Sequence, residues 1–88
     1  MSTLIVNYDL HVPGRNYDEL HAAIKRLGAW AHVLESCWVV KTGYSVGQVR
    51  DYLIQHIDAN DSLLVWERPG VWASFNIRAD VADWLKAA

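Results

Sequence analysis

Asp9 is the residue to start from. It closes the apolar run Leu4-Ile5-Val6-Asn7-Tyr8-Asp9-Leu10 and is followed two residues later by His11. A carboxylate where a buried strand meets solvent is a common place for a metal ligand or a catalytic acid, and a histidine beside it offers a base near neutral pH. The same carboxylate could equally solvate a strand end or accept from nearby backbone amides. The other groups with chemistry are Ser36 and Cys37 in Leu34-Glu35-Ser36-Cys37-Trp38, and Asp61 in Asp58-Ala59-Asn60-Asp61. Ser36 has no histidine and aspartate at a spacing that supports a nucleophile. Cys37, the one cysteine, reads as small filler beside a strand. His21, His32 and His56 show no zinc-ligand spacing. Arg15, Lys41, Arg50, Arg68 and Arg78 could contact phosphate, or could be scattered solvated charge.

The elements that must position these groups follow from periodicity. The first strand runs Thr3 to Leu10 and Pro13-Gly14 breaks it. Asn16 with Glu19 reads as a capping box, and Tyr17, Leu20, Ile24 and Leu27 share one helical face that Gly28 terminates. Ala29 to Leu34 and Trp38 to Thr42 read as a hairpin joined through Glu35-Ser36-Cys37. Ser45 with Gln48 forms a second capping box before the stripe Val46, Val49, Leu53, Ile57, which ends near His56 or Ile57. Ser62 to Glu67 is a fourth strand. Val71, Ala73, Phe75 and Ile77 alternate with Trp72, Ser74 and Asn76 as a fifth. Asp80 to Lys86 gives a short last helix.

The order β-α-β-β-α-β predicts one α+β domain over residues 1–88: a ferredoxin-like sandwich with strand order 4-1-3-2, both helices on one face, a C-terminal extra strand and a short helix. That topology brings the end of the first strand to the starts of the third and fourth. Asp9 and His11 should therefore lie near Glu35, Ser36, Cys37 and Asp61. Alternation puts Leu4, Val6 and Tyr8 toward the helices and Ile5, Asn7 and Asp9 on the other face, where only a second subunit or a ligand could cover them.

Composition narrows the class. The chain has 88 residues, net charge −2, five tryptophans and four tyrosines. A core this small does not absorb that many aromatics, which points to a homodimer or a protein-binding surface, or else to half-exposed aromatics on a monomer. The slight acidity and the absence of a Lys/Arg run argue against nucleic-acid binding by charge alone. A lone cysteine fits a reducing, cytoplasmic setting. No apolar run approaches the ~18 residues of a membrane helix, so no membrane partner is expected.

The first strand, the hairpin Leu34-Glu35-Ser36-Cys37-Trp38-Val39-Val40-Lys41 and the strand Asp61-Ser62-Leu63-Leu64-Val65 together resemble the small CRISPR-associated protein two superfamily. The closest likeness is to its stand-alone SinR-like branch, with VapD-like proteins more distant. The resemblance covers residues 3 to 67. It implies a ferredoxin-like homodimer packed through helix-free sheet faces, with Asp9 of each subunit as the catalytic, Mg²⁺-holding residue of an endonuclease acting on RNA or DNA. It also implies a C-terminal strand, Val71 to Ile77 here, that extends the partner's sheet. The residues after Asp9 depart from the family pattern, and the chain lacks its basic surface. A non-catalytic dimeric adapter, or protein-interaction module, of the same fold is the alternative reading.

Overall fold

The structure is a computed structural model and describes residues 1–12 and 17–88. Asn16, Arg15 and the Pro13-Gly14 turn lie outside the described residues. The chain is α+β. Its elements are β1 (Ser2–Asp9), α1 (Asp18–Lys25), β2 (Ala29–Leu34), β3 (Cys37–Thr42), α2 (Val46–Leu53) continued by a 3-10 turn (Ile54–His56), β4 (Ser62–Glu67) and α3 (Ala79–Ala87).

The strands form one antiparallel sheet in the order β2-β3-β1-β4. The apolar β1 is central because its alternate residues Leu4, Val6 and Tyr8 are the ones that bury. They meet Leu20, Ala23 and Ile24 of α1, Val49 and Leu53 of α2, and Trp38 and Val40 of β3 in one core. Both helices end where local chemistry dictates. The Ser45 hydroxyl accepts from Gln48 N at 3.1 Å while the Gln48 side chain accepts from Ser45 N at 2.9 Å, so two orphan amides of α2 are satisfied reciprocally. Gly28, at φ +155°, lets the chain leave α1 and pass against the Lys41 carbonyl, where a Cβ would collide with the oxygen. Among the described residues no helix is long and apolar enough to cross a membrane.

The C-terminal region differs from expectation. Residues 71–77 form no strand. Arg68 N still donates to Thr3 O at 2.9 Å, but Pro69 carries no N–H and Asn76 sits at φ +58°, a left-handed turn that interrupts extended chain. The segment instead lies across the sheet face opposite α1 and α2. Trp72, Phe75 and Ile77 line a cavity of about 360 Å³ there with Ile5, Val39 and Leu85. The Arg68 guanidinium holds this arm by donating to Leu85 O near the end of α3 at 2.9 Å, a favourable place for a cation. The arm and α3 together therefore cover the Ile5–Val39 part of the face opposite α1 and α2, which corrects the expectation that this face is free of helices and that only a partner or a ligand could cover it. Apolar side chains remain open around that cover: Leu64 is 61% exposed, Trp66 42% and Phe75 85%.

Candidate functional site

The sheet edge forms as the topology requires. Tyr8 N donates to Ser36 O at 3.1 Å, Asp9 stands opposite Ser62 in the β1–β4 register, and His11 N donates to Asp61 Oδ1 at 2.7 Å. Asp9, His11, Ser36 and Asp61 thus share one edge. Their chemistry differs sharply.

Asp61 is a structural anchor. Its carboxylate accepts from His11 N, from Asp58 N at 2.8 Å, and from the Tyr17 hydroxyl at 3.1 and 2.9 Å on its two oxygens. It ties the end of β1, the entry to α1 and the turn before β4 into one knot. A carboxylate so engaged is a poor second metal ligand. Asp61→Ala is expected to cost about 1–3 kcal/mol, since the donors include a partly buried hydroxyl whose bonds are charge-assisted. Asp61→Asn, which keeps one acceptor oxygen, should cost less. Equilibrium urea unfolding measures both, and an unchanged midpoint for Asp61→Ala would remove the anchor role.

Asp9 is the opposite case. Its side chain is 76% exposed, and its ion-pair partner is His11, with Nε2 at 3.4 Å from Oδ2 and itself 48% exposed. Strand alternation places it with Ile5 and Asn7 on the face opposite α1 and α2. It borders a shallow cavity of about 240 Å³ with Asn7, Ser62 and Leu64. Among the described residues no three His, Cys, Asp or Glu side chains gather to hold a metal. Cys37 gains nothing as a nucleophile, because burial pushes its thiol up and keeps it protonated.

Sequence spacing missed a second constellation. His21 of α1 and His32 of β2 stand with ring centroids 5.8 Å apart around Trp38. His32 stacks on the indole at 3.9 Å and 11°, His21 meets it at 5.5 Å, and Trp30 at 5.3 Å. Lys25 lies over the Trp30 ring at 4.8 Å. Trp38 Nε1 donates to the Tyr8 hydroxyl at 3.0 Å, which donates to Glu35 O at 3.1 Å; His32 Nε2 donates to the same carbonyl at 3.0 Å. With its proton committed, the hydroxyl can only accept from His21 Nε2 at 3.3 Å, which assigns that tautomer. The available signal was the β2–β3 register, which sets His32 opposite Trp38.

The cluster stiffens the Glu35-Ser36 turn and is acid-sensitive. Burial, and then the neighbouring His32, hold the His21 pKa below its ordinary 6.5. Below that pH the unfolded chain binds a proton that the folded chain resists, so stability falls as the solution is acidified. Wild type should lose more stability between pH 7 and pH 5 than His21→Gln does, measured by paired urea titrations. Equal losses would show that His21 makes no contribution to the acid sensitivity.

Compared with protein-family models, with curated proteins and with solved structures, the chain matches none.

Proposed function

We propose that the protein is a small homodimeric, metal-dependent endonuclease of ferredoxin-like fold, with Asp9 of each subunit as the metal-holding group. The observation that carries this reading is the contrast at one sheet edge: Asp61 is spent on structure, while the Asp9 carboxylate is exposed beside His11 on the face opposite α1 and α2. The ferredoxin-like reading is supported by the strand order β2-β3-β1-β4 and by α1 and α2 sharing one core on a single face. Dimerisation through the other face is supported by its open apolar residues Leu64 and Trp66.

One chain offers too few ligands for a closed metal cage. Two Asp9 carboxylates brought together on a two-fold axis suit a hard cation such as Mg²⁺, which keeps most of its waters and takes one or two carboxylates. Bound there, Mg²⁺ would supply charge against a phosphoryl oxygen and acidify a water. The chain's own share is to present Asp9 from a rigid central strand and to hold the His11 imidazole beside it, with Nε2 3.4 Å from Oδ2. The lone Cys37 suits a reducing, cytoplasmic setting.

Purified protein is expected to cleave single-stranded RNA or DNA with Mg²⁺ or Mn²⁺ and to stop in EDTA. Light scattering is expected to give twice the 10.0 kDa chain mass. Intact substrate in every metal condition overturns the endonuclease reading, and a 10.0 kDa species alone overturns the dimer.

The adapter reading draws on a separate observation, the exposed Leu64, Trp66 and Phe75 on the same face. It predicts that Trp66→Ser abolishes capture of a partner protein while Asp9→Asn changes nothing.

A further inference from the structure

At the opposite end of the sheet from Asp9, the end of α1, the end of β3 and the start of α2 enclose a concave surface. One hollow of about 360 Å³ is lined by Arg26, Leu27, Tyr44, Gln48 and Tyr52. A second, of about 540 Å³, shares Leu27 and Tyr44 with the first and extends past Lys41 and Thr42. The two hollows adjoin at Leu27 and Tyr44. The volumes fall in the range of small-ligand sites, roughly 300–1,000 Å³.

The groove's chemistry runs one way. Among the described residues no acidic side chain lines it, although acids outnumber bases over the whole chain. Arg26 and Lys41 both reach it, and among the described residues neither has a carboxylate within ion-pair distance. Arg26 is also oriented: its Nε donates to the Tyr52 hydroxyl at 3.0 Å, which fixes the fork and leaves both terminal NH₂ groups for a ligand. Gln48 is held in the same manner. Its Oε1 is taken by Ser45 N in the helix cap, so its amide NH₂ remains a donor to the groove. Donors from Arg26 and Gln48 thus border the first hollow, and Lys41 lines the second. Between them Tyr44 is 55% exposed and presents a ring with no aromatic partner among the described residues. Tyr52 has one edge against His56 at 5.3 Å.

Unpaired cations flanking an open aromatic ring are the elements that hold a nucleotide, with the base stacked and the phosphate on the guanidinium. We propose that this groove binds a nucleotide, either free or as the end of a single strand, with Tyr44 stacking the base and Arg26 and Gln48 taking the phosphate. The site does not depend on Asp9. Seven residue steps of β1 at about 3.3 Å each separate the two ends, roughly 23 Å.

The test is a nuclear magnetic resonance titration of the ¹⁵N-labelled full chain with AMP, adenosine, inorganic phosphate and a tetranucleotide of single-stranded DNA. AMP is expected to shift the amides of Leu27, Tyr44, Gln48 and Tyr52, and to bind at least tenfold more tightly than adenosine or phosphate alone. Arg26→Gln and Tyr44→Ala, both at exposed positions, should each weaken AMP about tenfold or more, with the remaining spectrum unchanged. Asp9→Asn should bind as wild type does, so loss of cleavage and loss of this site are told apart. A tetranucleotide that binds more tightly than AMP assigns the groove to a strand end; equal affinity assigns it to the free nucleotide. Absence of groove shifts at millimolar AMP and tetranucleotide, or shifts that Arg26→Gln leaves intact, overturns the proposal.

Discussion

Trp38→Ala is expected to destabilise the fold by about 3–5 kcal/mol, the usual cost of truncating a buried aromatic. Trp38 is 1% exposed at the junction of α1, β2, β3 and the Glu35-Ser36 turn. Its removal leaves a cavity against the rings of His21, His32 and Trp30. It also withdraws the Nε1–H donor from the Tyr8 hydroxyl, whose own pKa burial already raises. For a domain of this size, with stability of about 5–15 kcal/mol, the loss is large enough to populate the unfolded state near body temperature. Trp38→Phe keeps most of the ring and loses the donor, so its cost should be about 1–2 kcal/mol. Urea unfolding of the three proteins separates packing from hydrogen bonding. A loss below 1 kcal/mol for Trp38→Ala would mean that the cluster collapses onto the gap at little cost.

Asp9→Asn is expected to abolish metal-dependent cleavage while leaving the monomer fold intact. The exposed pair with His11 at 3.4 Å contributes only about 0–1 kcal/mol, so any large effect must come from what the carboxylate does in the assembly. Two aspartates facing each other across a two-fold repel unless a cation or a proton lies between them. Mg²⁺ should therefore raise the melting temperature of wild type and not of Asp9→Asn. In EDTA the variant should melt above wild type, because the repulsion is gone. Four melts, wild type and variant in Mg²⁺ and in EDTA, measure both effects. Identical melting in all four makes Asp9 a solvated strand end, and the endonuclease reading is then dropped.

Much of the architecture is legible in the sequence. Alternation in Leu4 to Asp9 named the buried face of β1, Ser45 with Gln48 named the start of α2, and Gly28 named the stop of α1. These are local rules, and each rests on residues two to four apart. Val71 to Ile77 shows where the same rule fails. Its alternation is that of a strand, yet the turn at Asn76 and the apolar surface of Ile5 and Val39 draw it into an irregular arm. Periodicity records that a segment has two faces; it does not say whether a ladder or a sheet surface will receive one of them.

The sequence by itself determined the α+β class, the element order as far as β4, the last helix, and the sheet edge shared by Asp9, His11, Ser36 and Asp61, because periodicity, caps and the handedness of crossovers are encoded locally. Only the tertiary structure decided what those groups do there. Asp9 and Asp61 are the same residue type near the same edge. One is open to a cation and the other is consumed by His11 N, Asp58 N and Tyr17, partners up to fifty positions away. The His21–His32–Trp38 cluster and the groove from Arg26 to Lys41 were decided in the same way. Their members lie on different elements, and their distances come from packing helix on sheet, which no local spacing records.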